Sequence, residues 1–419
     1  MSGSTPAKHI MQVLFMPRES FPTDRVRINV LFGRELLSRG HRIDLAMQAA
    51  NDTVPTGEQP WHGRRLWVGP TDSGVGLLNR IRKHFLALRH DFRMLGRARK
   101  PSYDALLVSD KFLFAAVAVW LAHRRGLKFI FWLTFPYPEL DLAGAQTGTA
   151  RYPALARLRG RLSAWALYQW ILPRSDHVFV QSERMLADMA ALGVDARKMS
   201  PIVTGFDLKA IVPAAARDAP AGSSGASFTV AYLGTLSADR RLEVLMEMLA
   251  LLRAGGMAVK LLLIGDADRP RDRQRLEHLA ASRGIAEHVE ITGFLPQPQA
   301  LARLCEADIG LSPFYPTPIL LSTSPTKLVE YMALGMPVVA NDHPEQRLIL
   351  RESRAGVRVP WGARHFARAV QWLMRLSREE RAAMGARGRA WVEANRTYAR
   401  IADDVERHYL ALMNQGPLV

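Results

Sequence analysis

Cysteine is almost missing from this chain of 419 residues, in which Cys305 is the single thiol. One cysteine excludes an intrachain disulfide framework and agrees with a reducing compartment. Long apolar runs are missing too, since the longest, residues 112–122, is too short to span a bilayer and predicts a buried helix instead. The N-terminal residues contain no basic segment followed by a long apolar run, so we expect no secretory signal and a cytoplasmic location.

Acidic residues are few relative to basic ones. The chain has 39 Asp or Glu against 56 Lys or Arg, and its formal net charge is +17. Such a field attracts an anionic partner, which could be nucleic acid, anionic lipid or a phosphorylated substrate. We predict no nucleic-acid partner, because no recognised nucleic-acid-binding module accompanies the charge. The length and a hydrophobic content of 48% leave room for two domains with full cores.

Short apolar runs alternate with helical patterns along both halves of the chain. The predicted strands cover residues 10–16, 42–47, 66–68, 105–108, 128–133 and 177–181 in the first half, and 228–233, 259–264, 289–291 and 309–311 in the second. Helices are predicted between them, and this alternation is typical of parallel sheets covered by helices. We therefore expect an α/β fold of two Rossmann-like βαβ domains.

A stretch rich in Pro, Ala, Gly and Ser predicts the boundary between the two domains. We place an N-terminal domain at residues 1–209, a linker at 210–227 and a C-terminal domain at 228–395. Residues 396–419 are expected to form a C-terminal helix that could pack back on the N-terminal domain. In parallel sheets of this kind, ligands are expected at the carboxyl ends of the strands.

Residues 324–342 predict a short helix followed at once by a buried strand. Ser324 is a favourable N-cap, Pro325 suits the first helical position, and Gly335 can adopt the left-handed conformation that ends a helix. Pro337 and the apolar run behind it are typical of a strand covered on both faces. The free N–H groups and the positive dipole end at the helix start would suit a phosphate group.

Lys327 and Glu330 share one face of this predicted helix, because they are three residues apart. A cation near a phosphate seat and a carboxylate one turn later suit a sugar nucleotide. Lys327 could face the diphosphate while Glu330 accepts hydrogen bonds from both ribose hydroxyls. A surface ion pair is the simpler explanation of the spacing alone.

The same stretch resembles the donor-binding signature of glycosyltransferase family 4. Members of that family are retaining enzymes that use sugar nucleotides and have the GT-B fold of two facing Rossmann-like domains. The signature has two glutamates separated by seven residues, followed by an Ala-x-Gly-x-Pro-Val-Val run. Glu330 matches the second glutamate, whereas Ser322 stands at the first position. The resemblance implies the ribose contact of Glu330 and leaves the family's donor-sugar contact without its carboxylate.

Four further motifs extend the resemblance over residues 179–413. They are VQSERM at 180–185, YLGTL at 232–236, LLLIGDAD at 261–268 and VEITGFLP at 289–296. In the family the second motif forms the first loop of the donor domain, and the last forms the loop that holds the nucleotide base. The implied donor-binding residues are Gly234, Thr235, Gly293, Phe294, Leu295, Ser322, Ser324, Thr326 and Glu330.

A diphosphate clamp of Arg240 and Lys327 is the expected catalytic centre. Transfer of a sugar places negative charge on the leaving diphosphate, and fixed cations aimed at that charge lower the barrier. The family usually has an arginine after the loop glycine and a lysine several residues later. Here Thr235 and Arg240 stand at those positions, and Gly234 would let the backbone approach the donor. The alternative for Arg240 is a solvated charge at a helix start.

Asp266 and Asp268 match the Asp-x-Asp metal signature of a different glycosyltransferase fold. They follow a predicted parallel strand that ends in Gly265, where family 4 has a turn. We therefore predict no essential metal and no cofactor other than the nucleotide-sugar co-substrate.

The N-terminal domain lacks the histidine that the family carries after its fourth strand, since residues 131–141 contain none. Glu139 is therefore the third candidate catalytic residue, as a contact to the sugar or the acceptor. Asp141 and Asp110 are the other titratable groups nearby. The alternative for Glu139 is a loop carboxylate at the surface.

Two stretches, residues 80–100 and 151–174, combine basic residues with apolar and aromatic ones. Both are typical of basic amphipathic helices that lie on an anionic membrane, and both fall in the predicted acceptor-binding domain. An acceptor saccharide linked to lipid would explain them. The alternative is a pair of ordinary helices whose apolar faces pack on the sheet.

These features together predict a retaining glycosyltransferase of the hexosyltransferase type, acting in cell-surface polysaccharide biosynthesis. It would be a peripheral protein on the inner face of the cytoplasmic membrane, with a nucleotide-sugar donor and a saccharide or lipid-linked acceptor. One alternative is a sugar-nucleotide epimerase on the same fold, which would turn over donor without acceptor. The other is a catalytically silent sugar-nucleotide-binding subunit, which Ser322, Thr235 and the missing histidine suggest.

Overall fold

Two compact units make up the chain. The computed structural model describes residues 10–23, 25–74, 76–146, 152–210 and 227–414, without the side chains of Leu77 and Arg80. The first unit consists of Met1–Val203 and Tyr398–Val419, and the second unit consists of Thr204–Thr397. Most of the predicted linker, residues 211–226, lies outside the described residues.

The strands are short and mostly buried. In chain order they are β1 Gln12–Met16, β2 Ser20–Phe21, β3 Arg42–Ala49, β4 Gly57–Trp61, β5 Arg64–Gly69, β6 Ala105–Ser109, β7 Lys128–Leu133, β8 His177–Val180, β9 Met199–Pro201, β10 Phe228–Leu233, β11 Val259–Ile264, β12 Val289–Ile291, β13 Ile309–Ser312, β14 Val338–Asn341 and β15 Gly356–Val359.

Helices connect these strands. The α-helices are α1 Leu36–Ser38, α2 Leu77–Arg97, α3 Phe112–Arg124, α4 Tyr137–Gln146, α5 Pro153–Trp165, α6 Leu172–Arg174, α7 Glu183–Ala191, α8 Glu243–Ala254, α9 Pro270–Ser282, α10 Gln297–Leu304, α11 Pro318–Leu321, α12 Thr326–Ala333, α13 Pro344–Ser353, α14 Ala363–Arg375, α15 Arg378–Asn395 and α16 Tyr398–Asn414. Segments Arg27–Glu35 and Ala166–Ile171 are wound as π-helix and run into α1 and α6. Within the described residues, no helix is both long enough and apolar enough to cross a bilayer.

The first unit is built on a mostly parallel sheet with the strand order β4-β5-β3-β1-β6-β7-β8-β9, and β2 lies beside β3. The pairing of β4 with β5 is antiparallel. β1 pairs with β3 on one side and with β6 on the other, so that Val13 lies beside both Ile43 and Ala105. Because the chain turns to opposite sides of β1 to form β3 and β6, the switch point of this sheet lies between β1 and β6.

Alternate strand residues of the first sheet pack on its two faces. Leu14 and Leu106 belong to one buried cluster, while Phe15 and Leu107 belong to the other. The second cluster also contains residues of α16, among them Ile401. The last helix of the chain therefore completes the core of the first unit.

The second unit contains a parallel sheet with the strand order β12-β11-β10-β13-β14-β15. β10 pairs with β11 on one side and with β13 on the other. The chain thus builds the sheet outward from β10 in one direction and then in the opposite one. The switch point lies between β10 and β13, and a parallel sheet binds its ligands at such a point, beyond the carboxyl ends of the strands.

The predicted α/β fold of two Rossmann-like domains is confirmed by these two sheets. Four predicted strands coincide with β7, β10, β11 and β12 at every residue. Four observed strands, β2, β4, β9 and β15, were not predicted. They are two to five residues long and several are polar, as in GEQPW of β4, so hydrophobic patterning does not reveal them.

The division between the units differs from the predicted boundary after residue 209. It lies between Val203 and Thr204. Phe206 forms an isolated bridge with Thr397, and its side chain is buried in the core of the second unit. These contacts draw residues 204–210 into the second unit, ahead of the stretch whose composition suggested a linker.

Candidate functional site

Three glycine-containing loops meet at the carboxyl ends of β10, β11 and β12. The amide of Gly234 donates to the carbonyl oxygen of Ile264 at 2.9 Å. A Cβ on Gly265 would stand 2.2 Å from the carbonyl oxygen of Gly234, and Gly265 also forms an isolated bridge with Gly293. All three glycines have positive φ, at 137°, 140° and 75°. Side chains at these positions would strain the backbone or collide with it. All three positions therefore favour glycine, and no side chain covers the backbone there.

Tyr331 fixes helix α12 against the same edge. Its hydroxyl donates to the carbonyl oxygen of Leu311 at 3.1 Å and accepts from the amide of Leu233 at 2.9 Å. Leu233 is the last residue of β10, and Leu311 is the second-to-last residue of β13. These are the strands on either side of the switch point. A Cβ on Gly310 would stand 2.4 Å from the Tyr331 ring, so glycine at that position lets the ring lie close to β13. The first turn of α12 is therefore held beside the crevice.

Lys327 lies in that first turn, beside the loop that follows β10. Its Nζ is 5.2 Å from the ring centroid of Tyr232 and 5.3 Å from that of Phe314, and its Cε would be 2.9 Å from a Cβ on Gly234. Burial, and after it the Arg240 guanidinium, lowers the pKa of Lys327 to about 7. Lys327 forms no ion pair with any residue that the structure describes. A partly desolvated cation without a carboxylate in contact is suited to an anionic ligand.

Glu330 follows Lys327 on the same face of α12 and is half-buried. Burial raises the pKa of Glu330 to about 7, and the charge of Lys327 opposes that rise. The Glu330 carboxylate makes no hydrogen bond or ion pair to another described side chain. The surface ion pair considered from the spacing is therefore absent between these two described residues, and both groups are open to a ligand.

Arg240 ends a 3-10 turn, Ala238–Arg240, shortly after the Gly234 loop. Its side chain is 27% exposed, and its Nε lies 3.9 Å from the carboxylate of Asp239. That Nε is buried and donates no hydrogen bond to a described residue. Arg240 is near enough to Lys327 to lower its pKa, so the structure brings the two predicted clamp residues into one electrostatic environment.

Ser324 does not cap α12, and that prediction is wrong. The helix begins at Thr326, with Pro325 in the N-cap position and no side-chain capping bond. The Ser324 hydroxyl instead donates to the Glu345 carboxylate at 3.1 Å and accepts from the amide of Thr204 at 3.2 Å. A buried carboxylate is a stronger acceptor than a neutral oxygen, which explains why the hydroxyl turns away from the helix. The first-turn N–H groups of α12 are left without a side-chain cap.

The remaining predicted donor-binding residues occupy different surroundings. Thr235 and Thr326 are exposed, and Thr235 accepts a hydrogen bond from the Tyr232 hydroxyl through its carbonyl oxygen at 3.0 Å. Phe294 is 75% exposed, while its neighbour Leu295 packs against the core of the second unit. Ser322, at the position of the family's first glutamate, is buried just before α12. The structure thus gathers these residues along the carboxyl edge of the second sheet.

Asp266 is engaged by protein groups. One carboxylate oxygen accepts from the amide of Ala267 at 2.8 Å, and the other lies 3.4 Å from Nη1 of Arg273. The turn after β11 therefore uses Asp266 to stabilise itself. Among the described residues, no group of three or more His, Cys, Asp or Glu side chains has an arrangement that could hold a metal ion.

The candidate carboxylates of the first unit lie on or near helix α4. Glu139 is half-buried in the first turn of α4 and accepts a hydrogen bond from the Tyr168 hydroxyl. Its other oxygen, Oε2, is buried and accepts no hydrogen bond from a described residue. Asp141 is paired with Arg159, whose Nε donates to it at 2.7 Å. Glu139 is therefore not a carboxylate on a surface loop, because it lies on a helix and accepts a hydrogen bond from a tyrosine.

Several residues that build these sites were missed from the sequence. Tyr331 fixes α12, and Glu345 receives the Ser324 hydroxyl, yet neither is a predicted site residue. A tyrosine among the apolar residues of a buried helix is one usable signal, because its hydroxyl needs a partner. A second usable signal is the position of Arg18 and Glu19 just after β1. Ligand contacts are expected at the carboxyl end of a parallel strand.

Two family models match the chain in its two halves. The model described as "Glycosyl transferase 4-like domain" matches residues 31–205. The model described as "Glycosyl transferases group 1" matches residues 227–375, which include the loops after β10, β11 and β12 and the whole of α12.

Curated relatives have identities below 30%. WcaL of Escherichia coli strain K12, a glycosyltransferase assigned to colanic acid biosynthesis, is 26% identical over 228 residues, which are 54% of this chain and 54% of that protein. The phosphatidyl-myo-inositol mannosyltransferase of Mycobacterium leprae is 28% identical over 284 residues, which are 66% of this chain and 69% of that protein. The chain thus spans about half the length of the first relative and two thirds of the second.

Solved structures resemble the chain over nearly its whole length. A sucrose-phosphate synthase from Thermosynechococcus elongatus has a TM-score of 0.72 at 17% identity, covering 96% of this chain and 99% of that one. Anabaena HepE, solved with UDP and glucose, has a TM-score of 0.68 at 15% identity, covering 96% of this chain and all of that one. Likeness at this identity shows the fold.

The matched relatives are glycosyltransferases, and those named for a pathway belong to polysaccharide biosynthesis. Both halves of the sequence match glycosyltransferase models, and the solved neighbours share the fold over nearly the whole chain. The chain therefore belongs to the GT-B glycosyltransferases, with a C-terminal domain of the group 1 type and an N-terminal domain of the 4-like type.

Proposed function

We propose that the chain is a retaining glycosyltransferase that moves a hexose from a nucleotide-sugar donor to a saccharide acceptor in cell-surface polysaccharide biosynthesis. The observation that carries the proposal is the position of Lys327, a half-buried cation beside the bare backbone of Gly234 at an uncapped helix start. A diphosphate has the negative charge and the acceptor oxygens that such a place requires.

The chemistry follows from where charge develops. When the bond between the sugar and the diphosphate breaks, negative charge collects on the leaving oxygen. Lys327 and Arg240 provide fixed positive charge there, and the first-turn N–H groups of α12 provide the positive end of the helix dipole. Because these groups are in place before the reaction, they stabilise the leaving group without reorganising, each by about 3 kcal/mol. Retention of configuration is the outcome expected for the family.

The nucleoside half of the donor is assigned to neighbouring residues. Glu330, one turn beyond Lys327, accepts hydrogen bonds from the two ribose hydroxyls. The loop Gly293, Phe294 and Leu295 takes the base, with the exposed Phe294 ring available for stacking. HepE, solved with UDP and glucose, supports a nucleoside diphosphate as the leaving group.

We propose that the reaction needs no metal ion. Asp266 holds its own turn and faces Arg273, so its oxygens are engaged by the protein. Lys327 and Arg240 supply the charge that a divalent cation supplies in other folds. The nucleotide sugar is then a co-substrate, with no other cofactor.

An acceptor linked to lipid is supported by the outer surface of the first unit. Helix α2 exposes Ile81 and Phe85, and α5 exposes Leu158, Leu162 and Trp165, all more than half accessible. Exposed basic residues interleave with these apolar ones on both helices. The sheet-facing alternative would bury such residues, whereas here they face outward. We infer that both helices lie on an anionic membrane, at the inner face of the cytoplasmic membrane, where a lipid-linked saccharide would be found.

The proposal is tested by donor binding and turnover in the full chain. UDP-, GDP- and ADP-sugars are compared by thermal shift, because a ligand that binds the folded state raises its melting temperature. One of the three should stabilise the wild type and fail to stabilise Lys327→Ala, with Lys260→Ala as the matched control, since Lys260 is exposed on β11. Stabilisation by none would contradict the proposal. Donor turnover without any acceptor, yielding an epimerised sugar, would point to the epimerase instead.

A further inference from the structure

A group of charged and aromatic side chains occupies the switch point of the first sheet. Arg18 and Glu19 follow β1, Asp110 follows β6, Tyr137 begins α4 after β7, and Arg27 begins the helical segment that leads into α1. We call these five residues the first-sheet cluster. They come from four separate segments and meet where a parallel sheet of this topology binds its ligands.

Two direct contacts join four residues of the first-sheet cluster in pairs. Nη2 of Arg27 donates to Oε1 of Glu19, and the Arg18 guanidinium lies 3.9 Å from the ring centroid of Tyr137. After burial, the charge of Asp110 raises the pKa of Tyr137, and the charges of Glu19 and Arg27 act on the pKa of both Asp110 and Tyr137. The five side chains therefore share one electrostatic environment.

Asp110 is held in an unusual way. Its backbone is left-handed, with φ of 54°, which is uncommon for a residue other than glycine. Its carboxylate accepts from the amide of Thr134 at 3.0 Å and also from the Thr134 hydroxyl. Burial raises the pKa of Asp110 to about 6. Asp110 thus ties the end of β6 to the end of β7, and a locally strained, buried carboxylate is more common at binding sites than elsewhere.

Two groups of the first-sheet cluster are left unmatched by the protein. Oε2 of Glu19 is buried, in a side chain only 13% exposed, and accepts no hydrogen bond from a described residue. Arg18 is exposed and has no described carboxylate within ion-pair distance. Buried carboxylate oxygens normally accept a hydrogen bond, so Oε2 of Glu19 is suited to accept one from a bound ligand.

The chemistry of the two unmatched groups defines the ligand. Oε2 of Glu19 suits a hydroxyl donor such as a sugar hydroxyl, and Arg18, whose guanidinium lies over the Tyr137 ring, matches a phosphate or carboxylate. We propose that the first-sheet cluster binds a saccharide that carries a negatively charged group. Under the proposed transfer reaction this saccharide is the acceptor, and only that assignment rests on the proposed function.

A purely internal ion-pair network is the competing explanation. It would account for the bond between Arg27 and Glu19, because that pair is self-contained. It does not account for Oε2 of Glu19, or for an Arg18 guanidinium that has no described carboxylate within ion-pair distance. Saccharide binding accounts for both and for their position at the switch point.

The test measures sugar binding to the full chain without any nucleotide. Glucose 6-phosphate, glucuronate, glucose and inorganic phosphate are titrated and followed by saturation-transfer NMR or calorimetry. The two anionic sugars are expected to bind more tightly than glucose. Arg18→Ala should remove that advantage, a loss of roughly tenfold in affinity, or about 1.4 kcal/mol, because it removes a charge-assisted contact to the anionic group. Glu19→Gln should weaken all three sugars.

Matched variants separate the proposal from general charge effects. Arg25→Ala removes an exposed arginine from the connection between β1 and α1, and Glu35→Gln neutralises a carboxylate whose one described ion pair is with its neighbour Arg34. Both should bind the sugars like the wild type, and melting temperatures establish that Glu19→Gln is folded. A preference for phosphate over carboxylate, or the reverse, identifies which negative group the site takes.

Three results would overturn the proposal. One is no binding of either anionic sugar, and another is equal affinity for inorganic phosphate, which would reveal an anion site without saccharide recognition. The third is binding that survives Arg18→Ala and Glu19→Gln but is lost in Lys327→Ala, which would place the sugar in the second unit. Nucleotide-induced thermal shifts in the same variants report on the proposed donor site, so the two hypotheses fail independently.

Discussion

Glu345 and Arg396 form a buried ion pair of 2.8 Å, with side chains that are 7% and 8% exposed. The same Glu345 carboxylate accepts from the Ser324 hydroxyl, directly before α12. The carbonyl oxygen of Arg396 accepts from the amide of Phe206 at 2.7 Å. The start of the helix that carries Lys327 is thus tied to both segments by which the chain enters and leaves the second unit.

Removing one partner of this pair should be costly. Glu345→Ala leaves the Arg396 guanidinium buried without its counter-charge, and we expect a loss of about 3–5 kcal/mol in the free energy of unfolding. Denaturant unfolding measures it. Replacing both partners, as in Glu345→Leu with Arg396→Met, should recover much of the loss, because two apolar groups need no charge compensation. An unfolding free energy within 1 kcal/mol of wild type for Glu345→Ala would contradict the assignment.

Loss of either clamp residue should slow transfer strongly. Lys327→Ala and Arg240→Ala are each expected to lower kcat roughly 100-fold or more, because each removes a fixed charge from the developing diphosphate. Steady-state kinetics with the donor identified by thermal shift provide the measurement. Lys260→Ala and Arg283→Ala, both exposed charges of the second unit, serve as controls. Wild-type kcat in both clamp variants would mean that these cations are ordinary surface charges.

Nucleotide affinity should pass through a maximum near pH 7. Lys327 must be protonated to attract the diphosphate, and its pKa is lowered to about 7, so affinity falls as the pH rises through that value. Glu330 must be ionised to accept both ribose hydroxyls, and its pKa is raised to about 7, so affinity also falls as the pH drops through it. Calorimetric Kd values from pH 5.5 to 9 test this.

Two conservative variants should each remove one limb of that pH profile. Lys327→Arg keeps its charge above pH 9 and should abolish the alkaline decline, because arginine is not deprotonated in this range. Glu330→Gln cannot ionise and should abolish the acid decline while lowering affinity overall. A profile that is the same in both variants and the wild type would show that other groups set it.

Activity should persist in excess chelator. The carboxylate oxygens of Asp266 are engaged by Ala267 and Arg273, and the leaving group is stabilised by side-chain cations instead. Initial rates are compared with and without EDTA in roughly tenfold excess over any trace divalent ion, and with added magnesium or manganese. Complete loss in chelator, restored by either metal, would return Asp266 and Asp268 to the site.

Attachment to membranes should depend on the charges of α2. Replacing Arg82, Lys83, Arg89 and Arg93 by serine should release the protein from anionic vesicles, because each basic residue near the surface contributes on the order of 1 kcal/mol. Vesicle co-sedimentation at low and high salt measures the binding. The control removes four exposed arginines of the second unit: Arg351, Arg364, Arg368 and Arg375. Equal sedimentation with neutral lipid, or none with either lipid, would contradict membrane attachment.

The sequence predicts this fold well where apolar runs are continuous and buried. β7 from Phe129 onward and β11 from Leu261 onward are such runs. Gly335 likewise takes the left-handed conformation that its position after a helix predicts, with φ of 66°. Local patterns of this kind depend only on neighbours in the chain, which is why they can be read without the structure.

Contacts between distant segments could not be predicted in this way. Ser324 is a good N-cap by local rules, but its true acceptor, Glu345, lies on another helix. The first-sheet cluster likewise joins Arg18 to Tyr137, more than a hundred residues away, and no motif marks either one. The binding and catalytic roles assigned to four side chains stay predictions, because the position of a side chain does not reveal the reaction it takes part in. These are Lys327, Arg240, Glu330 and Glu139.

The contribution of α16 to the first unit has a consequence for biosynthesis. The second unit is one uninterrupted segment, whereas the first unit needs residues from both sides of it. During synthesis the ribosome completes the second unit first. At that point the first unit still lacks the helix that contains Ile401. The apolar face of the first sheet that α16 covers therefore stays uncovered until α16 has been synthesised. Nascent chains stalled before residue 398 should bind chaperones through that face and release them once α16 is made.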